Sequence, residues 1–215
     1  MTAKDSINAN AMPTAADADR ATASSSTFQR EDVDAALRSG YHSHIDPRGL
    51  AAASETAAHL VTEFGPRVQA WKTFRDELTI AVDADAIVDV LTWLRDTAGW
   101  ALLSDISPCD WLGSDHEHPK RFAVNYEVTK IADGAPRLRI QVWLDEGETI
   151  ESVLKIYPTA DWHEREAFDF FGIVFTGREG LRRLIMADDW EGHPLRKDYP
   201  LGGEPVKFTN SLREI

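Results

Sequence analysis

Thiols are nearly missing from this 215-residue chain. Cys109 is its single cysteine, so no internal disulfide forms, and no four-thiolate zinc or iron–sulfur site is built within it. Positive charge is also short. Lysine and arginine number 23 against 36 acidic residues, and the net charge of −13 is a poor basis for holding a phosphate backbone. No apolar run approaches the ~18 residues of a membrane-spanning helix. No Gly-rich dinucleotide fingerprint precedes a helical pattern. What is present is ordinary for a globular core: 43% hydrophobic and 27% charged residues, in a length that fits one domain with appendages.

Residues 1 to about 26 are rich in Ala, Ser, Thr, Asp and Asn, with Lys4 and Arg20 set against Asp5, Asp17 and Asp19. Such a stretch buries too little apolar surface to offset its chain entropy and is expected to be disordered. It has neither the apolar centre of a secretory signal nor the basic, acid-poor character of a mitochondrial presequence. Residues 41–48 (YHSHIDPR) read as a polar linker. The expected organisation is therefore a low-complexity extension over 1–50, a domain over 51–175 and an extended tail over 176–215.

Within the domain, Ala57, Leu60, Val61 and Phe64 form a helical stripe ended by Gly65-Pro66. Residues 77–82 alternate as a strand. Asp83 is placed to cap a helix on which Ile87, Val90, Leu91 and Leu94 recur, with Gly99 closing it. Residues 121–129 put Phe122, Val124, Tyr126 and Val128 on one face; residues 137–144 do the same for Leu138, Ile140, Val142 and Leu144. Asp133-Gly134 between them reads as a hairpin turn. A further strand is expected near 152–157. A helix then starts at Asp161, with Glu164 completing a capping box, and stops at Gly172. The order read is strand, helix, three strands, helix, tail. It implies an α+β fold with helices layered on a mostly antiparallel mixed sheet and an extended C-terminal tail.

Several constellations could carry chemistry. His116-Glu117-His118 beside Asp115, like His42 and His44, lacks the further ligands of a closed zinc site and reads as solvated loop. His163-Glu164 fails the metalloprotease helix pattern because Ala167 stands where the second His is needed. The carboxylates Glu164, Glu166 and Asp169 could supply a paired-carboxylate acid–base site. A cap at Glu164 with an Arg165–Asp169 pair is the favoured reading, and an interface role for Arg165 and Glu166 stays open. Arg178, Arg182 and Arg183 read as a basic edge that either docks on an acidic partner or anionic headgroups or is simply solvated. The stretch 188–200 packs acid, base, Trp, Tyr, His and two prolines into thirteen positions. It reads as a strip that packs along another subunit, against an alternative in which Asp188, Asp189 and His193 serve a metal-dependent hydrolase.

The order Glu164-Arg165-Glu166, Asp169, Phe171-Gly172-Ile173, Phe175, Leu181-Arg182-Arg183 and then WEGHPLRKDYPL over 190–201 resembles the 30-kilodalton subunit family of respiratory complex I, which in bacteria is the C subunit of NADH-quinone oxidoreductase. The resemblance is dense over 162–201 and departs from the family at Arg178, where His or Lys is usual. Arginine keeps the charge but not a titratable imidazole. The resemblance implies a non-catalytic subunit of the peripheral arm of a proton-translocating NADH-quinone oxidoreductase, beside its quinone-reduction module. It implies no cofactor in this chain, with FMN, iron–sulfur clusters and quinone on partner subunits. The B, D and I subunits are the implied partners, in a hetero-oligomer held peripherally at the cytoplasmic side of the cell membrane. No catalytic or metal residue is expected. The residues expected at interfaces with these partners are Glu164, Arg165, Glu166, Asp169, Arg182, Arg183, Trp190, His193, Arg196, Lys197, Asp198 and Tyr199. The alternative within the superfamily is the equivalent subunit of a membrane-bound hydrogenase or a deazaflavin-linked dehydrogenase.

Overall fold

Two strands with strict alternation set the frame. β4 (Phe122–Thr129) and β5 (Arg137–Leu144) pair antiparallel, with Phe122 opposite Leu144 and Val124 opposite Val142. The apolar residues of both therefore share one face, and all eight of those named above are buried. The computed structural model describes residues 47–200 except 75–76, 116–117 and 133–134. The expected disorder over 1–46, the Asp133-Gly134 turn, the His116-Glu117 pair, and His42 and His44 lie outside the described residues.

β1 (Val68–Phe74), β2 (Glu77–Val82) and β3 (Leu102–Asp110) complete a five-stranded sheet in the order β1-β2-β5-β4-β3. Neighbours run antiparallel except β2 and β5, which are parallel. The chain between them crosses over through α2 (Ile87–Asp96), β3 and β4. The helices cover the apolar face. α1 (Pro47–Phe64) lies against β1, β2 and β5, and α3 (Ala160–Phe171) lies against β3. In α2, Ile87, Val90, Leu91 and Leu94 are fully buried, as their spacing predicts; each such side chain contributes roughly 1.5–3 kcal/mol. Trp100, also fully buried, donates from Nε1 to Thr56 Oγ1 (3.2 Å) and accepts Tyr157 Oη on its carbonyl (2.6 Å), tying α1 to the segment before α3. The opposite face of the sheet is polar: Gln141 donates to Asn125 (2.8 Å), Asn125 to the Ser107 carbonyl (2.9 Å), and Arg139 to Glu77 (3.0 Å). The fold is thus the α+β arrangement of helices on a mostly antiparallel mixed sheet.

The differences from expectation have local causes. α1 starts at Pro47, inside the expected linker, because proline suits the first helical turn. The two strands that the sequence pattern does not show, β1 and β3, are the edges of the sheet. Each carries a register shift, at Val68/Ala70 and at Leu103/Asp105, and β3 includes Pro108, so period-two alternation is broken in both. Residues 152–157 form turns; the strand is the shorter β6 (Thr149–Glu151), paired parallel with β7 (Val174–Thr176). Asp83 precedes a 3-10 turn (Ala84–Ala86) and makes no side-chain cap; its carboxylate takes the Gln69 amide instead. Gly99 does close α2, since its left-handed backbone (φ +78°) lets the Trp100 N–H reach the Leu94 carbonyl (2.9 Å). The capping box of α3 is not formed. Thr159 precedes Ala160 and its hydroxyl donates to the Leu103 carbonyl (3.2 Å), while Glu164 turns inward.

Ile140 sits on the central strand with no exposed surface. Ile140→Ala is expected to destabilise the chain by about 2–5 kcal/mol, read as a lowered urea midpoint with an unchanged m-value.

Candidate functional site: the strip folded onto the end of α3

Two carboxylates of α3 point into the protein, and the C-terminal strip is arranged around them. Gly172 ends the helix in the left-handed region (φ +73°), and residues 177–200 return across the helix end without regular structure. Glu164, 0% exposed, accepts the Ser152 hydroxyl (2.7 Å), the Val153 N–H (2.8 Å) and Arg178 Nη1 (2.9 Å). The Arg178 side chain is only 1% exposed, and its other terminal nitrogen meets the Asp161 carboxylate, which also takes Arg165 Nε (3.2 Å). Burial, with the Glu164 charge adding to it, pushes the Tyr126 phenol well above its ordinary range.

Asp169, also 0% exposed, is the second anchor. Its Oδ2 takes three successive backbone N–H groups, those of Leu184 (3.0 Å), Ile185 (2.7 Å) and Met186 (2.9 Å), while Oδ1 takes Arg183 Nη1 (2.8 Å). Arg183 continues to the carbonyls of Trp190 (2.8 Å) and Gly192 (2.9 Å). Burial works against ionisation of Asp169, but the N–H groups of Ile185 and Met186, then Arg183 and Leu184, outweigh it and hold the carboxyl below its ordinary range.

Asp110 at the end of β3 is the third. It accepts Arg121 Nη2 (2.9 Å), the Leu112 N–H (3.0 Å) and the Lys197 N–H (3.0 Å). Arg121 reaches on to Asp198 (2.8 Å) and Glu146 (2.8 Å). Burial opposes ionisation of Asp110 too, but its partners Arg121 and Lys197 overcome it and hold the carboxyl below its ordinary range.

The strip also caps the helix. The last carbonyls of a helix lack partners within it and carry the negative end of its dipole. Here the carbonyls of Asp169, Phe170 and Phe171 accept His193 Nδ1 (2.9 Å), the Leu195 N–H (3.1 Å) and Arg196 Nε (2.6 Å). Burial, only partly countered by the Asp169 carbonyl, lowers the His193 pKa, with Arg196 and Arg183 adding to the shift. A carbonyl can only accept, so the ring carries a proton on Nδ1. A Cβ at Gly172 would lie 2.5 Å from His193 Nε2 and 2.6 Å from Arg196 Nη2, so only glycine admits this approach.

Residues 80–205 match the family described as "Respiratory-chain NADH dehydrogenase, 30 Kd subunit". The chain belongs to that family. Among its relatives are proteins named as the C subunit of NADH-quinone oxidoreductase. That of Geotalea uraniireducens is 41% identical over 162 residues, covering 74% of this chain and 96% of the relative. That of Salinispora arenicola is 42% identical over 155 residues, covering 69% of this chain and 60% of the relative, so the match spans about three fifths of that longer protein. That of Methylobacterium radiotolerans is 38% identical over 189 residues, covering 80% of this chain and 86% of the relative. A solved trypsin-resistant fragment of Nqo5 (residues 1–134) shares the fold, with a TM-score of 0.52 and 23% identity over 60% of this chain and 99% of the fragment.

In this 30-kilodalton-subunit homologue the expected interface residues separate into two groups. Glu164 and Asp169 have no exposed surface, and Arg183, His193 and Arg196 are half-buried anchors; these five hold the strip to its own domain. Arg165 pairs with Asp161, correcting the expected Arg165–Asp169 pair. The expected basic edge also dissolves: Arg178 is buried against Glu164, Arg183 pairs with Asp169, and Arg182 alone of the three is exposed. Trp190 and Tyr199 are half-buried; a Cβ at Gly192 would come within 2.9 Å of the Tyr199 ring. Glu166, Arg182, Lys197 and Asp198 face outward. Sequence reasoning missed Asp110, Arg121 and Glu146, because a partner 77 positions away, as Asp198 is from Arg121, leaves no local signature. It also missed exposed Trp162, although Trp162 and Glu166 fall one helical turn apart, opposite the buried Ala160, Ala167 and Phe171.

The hydrolase grouping of Asp188, Asp189 and His193 does not assemble. His193 is committed to the Asp169 carbonyl, and among the described residues no three His, Cys, Asp or Glu side chains gather as metal ligands. His118 bonds the Lys120 carbonyl (2.9 Å) and stacks on Trp143.

Arg178→Met leaves Glu164 buried without its cation and is expected to cost about 3–5 kcal/mol. Exposed Arg182→Met stays within about 0.5 kcal/mol, both read by urea unfolding. Because Asp169 and Asp110 have folded-state pKa values below the unfolded ~3.9, their contribution is complete above that pH and is lost as the pH falls below it. Urea midpoints measured from pH 7 down to 3 should fall most steeply below about 4, and Asp169→Asn should flatten that fall.

Proposed function

We propose that this chain is a structural subunit of the peripheral arm of a proton-translocating NADH-quinone oxidoreductase, and itself neither binds nor transforms substrate. One observation carries this reading. The residues that carry the resemblance in this sequence are used to fix a strip onto its own domain, with Glu164 and Asp169 as internal anchors and Arg182 and Lys197 left outward. Among the described residues they gather into no metal-ligand group. A pre-fixed strip costs little further ordering on association, which suits a permanent contact with a neighbouring protein.

FMN, iron–sulfur clusters and quinone belong, in this reading, to the partner subunits. The B, D and I subunits are the neighbours, and the complex belongs to the translocase class. The chain joins the cell membrane peripherally, on the cytoplasmic side, through those partners. No helix of the described residues is long and apolar enough to cross a membrane, and the single Cys109 supplies too few thiolates for a cluster. The equivalent place in a membrane-bound hydrogenase or a deazaflavin-linked dehydrogenase is not favoured, because relatives at 38–42% identity carry the quinone oxidoreductase name.

Affinity purification of the tagged chain from detergent-solubilised membranes tests the proposal. NADH-quinone activity, flavin and iron–sulfur absorbance should co-purify with it, whereas the chain expressed alone should be colourless and inactive toward NADH. A tagged chain recovered free from membranes, or one that alone binds flavin or a cluster, would contradict it.

A further inference from the structure

We infer that the groove between α3 and the edge strand β3 is a docking site for another polypeptide of the complex, one presenting an apolar side chain beside a lysine or arginine. The inference rests on the subunit reading above and adds the place and the chemistry of one contact.

The outer stripe of α3 carries Trp162 (64% exposed), Glu166 and half-buried Phe170, spaced four residues apart and therefore aligned on one face. Leu195 (52% exposed) extends that stripe past the helix end, held there by its N–H on the Phe170 carbonyl (3.1 Å). A depression of about 160 Å³ lies beside them, walled by Pro108, Ala167, Phe170 and Leu195, with Asp105 and Glu166 among its lining residues.

Size, charge and backbone chemistry narrow the occupant. Small-molecule and cofactor sites usually run to ~300–1,000 Å³, so this depression fits a single inserted side chain. Its charged lining groups are Asp105 and Glu166, with no lysine or arginine. Asp105 is half exposed and pairs with His163 (3.1 Å). A second copy of this chain meeting the site about a two-fold axis would bring the same acidic residues together, which disfavours self-association. β3 is the sheet edge, yet Pro108 removes a backbone donor from it, so strand addition is blocked locally and side-chain insertion remains. An exposed tryptophan beside a shallow pocket is the residue type enriched at interface centres, and a flanking carboxylate selects a cationic neighbour.

The test uses the whole complex. A photo-crosslinking amino acid is placed at Trp162, the assembled complex is isolated from membranes, and the linked peptide is identified by mass spectrometry. The expected product joins this chain to a different protein of the complex, at a segment with an apolar residue within a few positions of Lys or Arg. Glu166→Lys should lower the amount of this chain retained in the complex by about tenfold, a loss of roughly 1.4 kcal/mol. Reversing the charge of the linked basic residue should restore it. A product within this chain, a product between two copies, or a complex that assembles and yields no product would overturn the groove while leaving the subunit reading standing. Absence of the tagged chain from the isolated complex would overturn both.

Discussion

The structure depends on carboxylates placed where water does not reach. Glu164 lies on the core side of α3 and Asp169 lies under the returning strip, each fully buried. An ionised carboxyl there is tolerable only if cations and donors surround it. The partners come from outside the helix: Ser152, Val153 and Arg178 for Glu164, and Arg183 with three consecutive backbone N–H groups for Asp169. The need to satisfy two charges thus fixes the course of a segment that has no secondary structure of its own. The same segment then returns donors to the helix's last carbonyls, so α3 and the strip stabilise each other.

Arg178 shows what this constraint asks of a side chain. It bridges Glu164 and Asp161 through two terminal nitrogens while almost wholly enclosed. A planar guanidinium meets two acceptors in fixed directions. The requirement at this position is a buried positive charge, which Arg178 supplies to both carboxylates. The contacts of Arg178 are those of a structural part: two buried or half-buried carboxylates held by one side chain.

Legibility in the sequence follows the period of the hydrophobic pattern. β4, β5 and the buried stripe of α2 repeat cleanly because each has one wet or polar side and one core side. β1 and β3 leave no such trace, since edge strands tolerate bulges, Pro108 and Asp105, which erase alternation. Glu164 and Asp169 are recognisable as members of an ordered motif, but polar type argues for surface, and only the tertiary fold shows them inside. Arg121 and Asp110 give no signal, because the ion pair joins two strand ends and a distant tail through space. The candidate site is thus legible as a strip, while its division into inward anchors and outward contacts is not.

The central claim is that buried Asp169 holds the strip in place before any partner arrives. Hydrogen–deuterium exchange of the isolated chain measures this at the three amides that Asp169 accepts. The Leu184, Ile185 and Met186 amides should exchange orders of magnitude slower than free peptide, and Asp169→Asn should return them toward the free rate while Ile140 in the central strand stays protected. Free-peptide exchange at Leu184, Ile185 and Met186 in the unaltered chain would contradict the account.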